Sequence, residues 1–190
     1  DGTTEIGIFS IDPATGQVTF TPTDKSYTGA VTPAKVQAES SNGIKVDTTY
    51  TPEIVPVTPT ATPAETTDIQ GATQKGKPEF KGGTVTVDGV EKTVEINEAV
   101  PATFDDGSTT KTVEGVGTYT VAADGTVTFV PEKSFVGTAP AVTVVREDKN
   151  GTKASATYTP TVTPVTPTAT PAETTDIQGA TQTGKPEFTA

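Results

Sequence analysis

Cysteine, histidine, methionine and tryptophan are all absent from this 190-residue chain. Without cysteine there is no disulfide framework and no thiolate chemistry. Without histidine or cysteine, an activated serine or threonine nucleophile has no ordinary base beside it, and no G-x-S-x-G stretch is present. Hydrophobic residues make up only 32% of the chain and aromatics 6%, a lean supply for a packed interior. No run approaches the roughly 18–20 apolar residues of a membrane-spanning helix. Basic residues are scarce as well, 13 against 24 acidic ones, for a net charge of −11. That balance argues against nucleic acid or an anionic membrane as partner, and for a solvated acidic surface.

What is present is a near-perfect duplication. Val57–Phe80 reads VTPTATPAETTDIQGATQKGKPEF and returns as Val165–Phe188, with Lys75 replaced by Thr183 as the one difference. The offset, 165 − 57, is 108 residues. Duplication at this period is the mark of a tandem array. The expected organisation is the back half of one unit over 1–56, a complete unit over 57–164, and the opening of the next over 165–190. The chain reads as a section of a longer array.

Within the units, apolar residues alternate instead of scattering, which separates this composition from disorder. Phe9-Ser10-Ile11 and Val18-Thr19-Phe20 flank Asp12-Pro13-Ala14-Thr15-Gly16, a hairpin with turn chemistry at its tip. Lys35–Glu39 and Ile44–Tyr50 flank Ser41-Asn42-Gly43, where both Asn and Gly tolerate positive φ. The complete unit repeats the plan. Thr118–Val121 pairs with Thr126–Phe129 across Ala123-Asp124-Gly125, and Val142–Glu147 pairs with Lys153–Tyr158 across Asp148–Gly151. Thr84–Val87 and Lys92–Ile96 flank Asp88-Gly89. Phe129, Val127, Tyr119 and Phe135 are the expected core. Pro22 and Pro131 are expected to close their strands, because Pro lacks the N–H a central strand needs. Prolines 52, 56, 59 and 63 favour a stiff extended chain, so a spacer is expected over about 52–67. No helix of ordinary length is expected, since β-branched residues dominate. The fold class is therefore all-β: tandem Ig-like or related β-sandwich repeats of about seven short strands each, joined by Pro/Thr-rich spacers.

These residues resemble the CshA-type fibril repeats of streptococcal and related Gram-positive surface adhesins. The resemblance is carried by Gly115-Val116-Gly117-Thr118-Tyr119-Thr120-Val121, by Gly125-Thr126-Val127-Thr128-Phe129-Val130-Pro131, by Phe135-Val136-Gly137-Thr138-Ala139, and by the Thr163–Gln182 run that ends in DIQGATQ. The first copy departs by shortening the G-x-G-T-Y opening to Gly7-Ile8-Phe9. The resemblance implies an extracellular, cell-wall-anchored protein whose repeats form a fibril, with host binding credited mainly to a separate non-repetitive region. It supplies no catalytic residues. Two functions follow: a structural stalk that extends an adhesive tip, or a repeat that itself binds host matrix protein or glycan by avidity. The expected partners are neighbouring repeats of the same chain and, on the second reading, host extracellular-matrix or cell-surface ligands.

Four groups of residues bear on chemistry. Asp105-Asp106-Gly107 and Glu147-Asp148-Lys149-Asn150 gather oxygens as a calcium site does. The second answers to Ser40-Ser41-Asn42 in the first copy, which lacks the carboxylates. Both are read as turn residues on an acidic surface, with no metal and no cofactor. A Lys–Asn isopeptide bond would have to use Asn97 or Asn150, and Asn150 sits in a turn where Asn is expected anyway. Tyr27, Tyr50, Tyr119 and Tyr158 are read as packing residues in preference to sugar-stacking platforms. No catalytic constellation assembles, so the chain is not read as an enzyme.

Overall fold

β-Branched residues in alternation make strands throughout. The computed structural model describes residues 5–189, and no helix lies among them. Residues 1–4 and 190, at the outer ends of the first and last expected segments, fall outside the described residues. The first segment holds β1 (Gly7–Ile11), β2 (Val18–Pro22), β3 (Gly29–Ala30), β4 (Ala34–Glu39), β5 (Lys45–Tyr50) and β6 (Glu53–Ile54). β1 pairs with β2 and β4 with β5, both antiparallel, as the alternation predicts. β3 pairs with β6. In the Ser41-Asn42-Gly43 turn only Gly43 has positive φ, at 80°. The five-residue connection needs one left-handed residue, not two. The two-residue turn with both residues left-handed is Asp88-Gly89, at 51° and 75°.

The middle of the chain carries thirteen strands, not about seven. They are β7 (Thr60–Thr62), β8 (Ala64–Ile69), β9 (Gln74–Gly76), β10 (Glu79–Lys81), β11 (Gly83–Val87), β12 (Val90–Val94), β13 (Thr103–Phe104), β14 (Thr110–Val113), β15 (Gly117–Val121), β16 (Val127–Pro131), β17 (Gly137–Thr138), β18 (Val142–Glu147) and β19 (Lys153–Thr163). Many are two or three residues long and interrupted by Pro or Gly, too short for alternation to register. A two-stranded pair, β7 with β10, and a hairpin, β11–β12, stand beside two larger sheets. One sheet runs β14-β15-β16-β9. The other runs β13-β18-β19-β17, with β8 on the remaining edge of β19. No strand pairing joins the two into a closed barrel. They share one buried cluster: Tyr119, Val121, Val127 and Phe129 from the first, and Phe104, Val142, Val144, Tyr158 and Val162 from the second. Phe129, Val127 and Tyr119 are fully buried. Phe135 is only half-buried against the cluster's edge, because it lies in the loop that precedes β17.

The expected spacer is largely sheet. Glu53–Ile54 pairs with β3, Thr60–Thr62 with β10, and Ala64–Ile69 with β19. Its prolines stand between strands, where the pairing partner changes and no N–H is required. Pro160 goes further and lies inside β19, fully buried. On that edge, pairing with β18 ends at Tyr158 and pairing with β17 begins at Thr161. The missing N–H falls at the changeover, while the Pro160 carbonyl accepts from the Ala139 N–H at 2.9 Å. The last segment contributes β20 (Thr168–Thr170) and β21 (Glu187–Thr189), paired antiparallel.

Candidate functional site

The acidic and Asn-bearing clusters are absorbed by turns. The Lys111 ammonium bridges Asp105 and Asp106. Its hydrogen bond holds the Asp105 carboxyl below the usual range, and the hydrogen bonds of Ser108 do the same for Asp106. Asp148 departs from expectation. It is fully buried, not part of an acidic surface. Its Oδ1 accepts the N–H groups of Asn150 and Thr152 at 2.8 and 2.9 Å. In the first copy, Ser40 Oγ accepts the Ile44 N–H at 3.1 Å. Ile44 stands one repeat period before Thr152. A hydroxyl thus substitutes for the carboxylate, and the shared task is to fold the turn. Asn97 Oδ1 accepts the Ala99 N–H, again within a turn. Among the described residues, no group of three or more carboxylates could hold a metal ion.

The tyrosines divide by burial. Tyr119 and Tyr158 are fully buried. Tyr119 donates to the Pro140 carbonyl at 2.7 Å, and burial pushes its phenol up to about 12. Tyr27 is half-buried and donates to the Ala30 carbonyl at 2.6 Å. Tyr50 meets Phe9 edge-on at 6.1 Å between centroids. The first copy's hairpin opening is not shortened. β1 begins at Gly7, and Phe9 pairs with Phe20 as Tyr119 pairs with Phe129. A Cβ on Gly7 would meet the Phe20 ring at 2.4 Å, and one on Gly117 the Phe129 ring at 2.8 Å. Glycine is required at both by the same close approach.

The most organised polar structure is the seam between β8 and β19, which residue-by-residue reading missed. The two strands are parallel, in register from Tyr158↔Ala64 to Thr163↔Ile69. Behind the seam, buried Gln74 donates through Nε2 to the Thr161 carbonyl at 2.9 Å. That fixes its amide orientation, so Oε1 accepts from Thr66 Oγ1 at 2.6 Å. The Thr66 hydroxyl has one proton, so the Tyr158 hydroxyl, 2.7 Å away, is the donor to it. Burial pushes the Tyr158 phenol up, which keeps that proton in place. At the exit end, the Gln70 N–H donates to the Thr163 carbonyl at 2.8 Å. Gln70 Nε2 donates to the Lys133 carbonyl at 2.8 Å, and its Oε1 accepts from the Val165 N–H at 3.3 Å. Asp68, Gln70 and Gln74 all belong to the duplicated DIQGATQ. The signal that could have found the seam was the fidelity of the duplication in polar residues.

Comparison with known proteins places these features. The family model described as the surface adhesin CshA repetitive domain matches residues 2–54 and 56–162. A solved NMR structure, repeat domain 13 of the fibrillar adhesin CshA from Streptococcus gordonii, is 60% identical over 35% of this chain and 86% of its own length, with a TM-score of 0.22. No curated protein matches the chain.

Proposed function

The chain belongs to the CshA surface-adhesin repeat family, and from that premise we propose that it is a stalk section of a wall-anchored fibril, made of Ig-like units joined end to end. The family gives it a structural or adhesive role at a Gram-positive cell surface. The observation that carries the stalk reading is the parallel pairing of β8 with β19. The strand near the start of the unit and the strand at its end run in the same direction. The chain therefore enters at one end of the seam and leaves at the other, with Val165 two residues beyond β19. Repetition of that step adds units in line, without the reversal that antiparallel ends would impose. The break in the family match at residue 55 supports unit boundaries near 56 and 164.

Small-angle scattering of three consecutive units tests it. The maximum dimension should grow by a constant increment per unit. A radius of gyration near the roughly 20 Å of a compact chain of that length would overturn the stalk, and binding of a single unit to matrix protein would favour the adhesive alternative.

A further inference from the structure

The DIQGATQ motif takes part in no chemistry described above, yet it supplies the densest polar contacts in the complete unit. From the seam it builds, and resting on the stalk reading, we propose that β8 and β19 form a mechanical clamp: tension along the chain shears the two strands and loads their six paired positions together.

The geometry follows from the register. A pull from the preceding chain reaches β8 at Ala64, and a pull from the following chain leaves β19 at Thr163. In this parallel pair those two points lie at opposite ends of the seam, since Ala64 faces Tyr158 and Ile69 faces Thr163. The strands are drawn past each other along their length. Bonds in a parallel ladder are evenly spaced, so they share the load, and none can open first without the others yielding. Antiparallel ends pulled from one side would instead peel, one bond at a time.

The side chains add a second row. Thr66 and Gln74 join β8 and β9 to the Thr161 carbonyl and to the Tyr158 hydroxyl, on the buried side chains of Gln74 and Tyr158, where water replaces lost partners poorly. Thr163 Oγ1 donates to the Asp68 carbonyl at 3.1 Å across the same seam. Gln70 fastens Thr163, Lys133 and the first N–H of the next repeat. Resistance to force is set by the barrier to opening and not by equilibrium stability, so a lean hydrophobic core and a strong clamp are compatible.

The absence of cysteine gives unique attachment points. In the full chain, Pro63→Cys with Pro164→Cys places handles just outside the two ends of the seam and pulls in shear. Glu65→Cys with Thr159→Cys, or Thr67→Cys with Thr161→Cys, places handles on facing residues and unzips the same seam. Single-molecule pulling should give a severalfold higher opening force for the first pair than for either other pair. Opening in shear should release about 33–36 nm of chain, less the folded separation, for the roughly 100 residues between handles. Equal forces in the two geometries would overturn the clamp. So would a shear trace in which the unit yields in a succession of small, weak steps. Either result leaves the scattering test of the stalk untouched, and a compact scattering profile would sink the stalk without changing the force comparison.

Discussion

Val57–Phe80 and Val165–Phe188 are one sequence in two settings. Both pair their first strand with their last, antiparallel, β7 with β10 and β20 with β21. Both make the local threonine–glutamine bond, Thr66 to Gln74 at 2.6 Å and Thr174 to Gln182 at 2.5 Å. In both, an Asp carboxylate accepts the following N–H at 2.7 Å. Everything that needs a partner some 90 residues downstream differs, because for the second copy that position falls past residue 190. Ala64–Ile69 is a strand, while residues 172–177 are not. Gln74 is buried and Gln182 exposed; Phe80 packs against the core, whereas Phe188 is 78% exposed. The residues of this stretch by themselves specify a turn and a short antiparallel pair that closes it. β8 exists because β19 lies beside it, with Tyr158 92 residues away from Thr66. Strand propensity here is a statement about neighbours, not about the backbone alone.

The comparison can be erased from a distance. Phe129→Ala removes a fully buried ring from β16, a strand that pairs with β15 and β9 and not with β8. The loss of about 3–5 kcal/mol expected for such a truncation is comparable to the total stability of a small domain. Amide exchange should then make residues 64–69 as unprotected as 172–177 while the wild type keeps them apart. Persistent protection of 64–69 would mean that β8 is locally encoded after all.

A smaller change sharpens it. Gln74→Ala strips the Thr161 carbonyl and the Thr66 hydroxyl of a buried partner, at a cost of about 1–3 kcal/mol. Gln182→Ala removes the same residue from the same sequence where it is exposed. Thermal melting of the complete unit, followed by near-ultraviolet circular dichroism, should fall for the first variant and stay for the second. Equal shifts would assign the glutamine to its own turn and not to the seam.

The two settings also explain what was legible. The hairpins β1–β2, β4–β5, β11–β12, β15–β16 and β18–β19 announce themselves because both strands and the turn lie within one short window. The facing of Phe129 and Tyr119 follows from the same alternation. β8 and β9 sit in a run of Thr, Ala, Pro and Gln with no apolar period, and their partners are far along the chain. Prolines made that run look like a spacer, yet each stands where the ladder changes hands. β14 is missed for a related reason: Thr110–Val113 offers one apolar residue, and its pairing with β15 defines it. In the seam, Tyr158 was readable as core, but its hydroxyl partner was not. Side-chain ties between a first and a last strand leave no local trace, apart from the strictness with which the polar residues recur.

The smallest expected effect comes from charge. Asp124 accepts the Thr126 N–H at 3.0 Å, the Lys77 ammonium at 2.9 Å and the Thr126 hydroxyl at 2.9 Å. These contacts, the backbone one foremost, lower its carboxyl from 3.8 to about 2. The folded state thus holds fewer protons than the unfolded state between those values. The stability Asp124 supplies is complete above about pH 4 and fades as the pH falls toward 2. The group is exposed, so salt screens the lysine's share and the effect is modest. Lys185 occupies the matching place in the second copy and makes no ion pair among the described residues. Melting measured from pH 5 to pH 2 should therefore fall less steeply in Asp124→Asn than in wild type. Lys77→Ala should remove part of that difference, and Lys185→Ala none of it. Added salt at pH 5 should reproduce only the Lys77 part, because the Thr126 bonds belong to the turn and are not screened. An acid slope that is the same in Asp124→Asn and wild type would place the titration elsewhere, with Asp105, Asp106 and Glu98, whose carboxyls are also held low, as the next groups to replace.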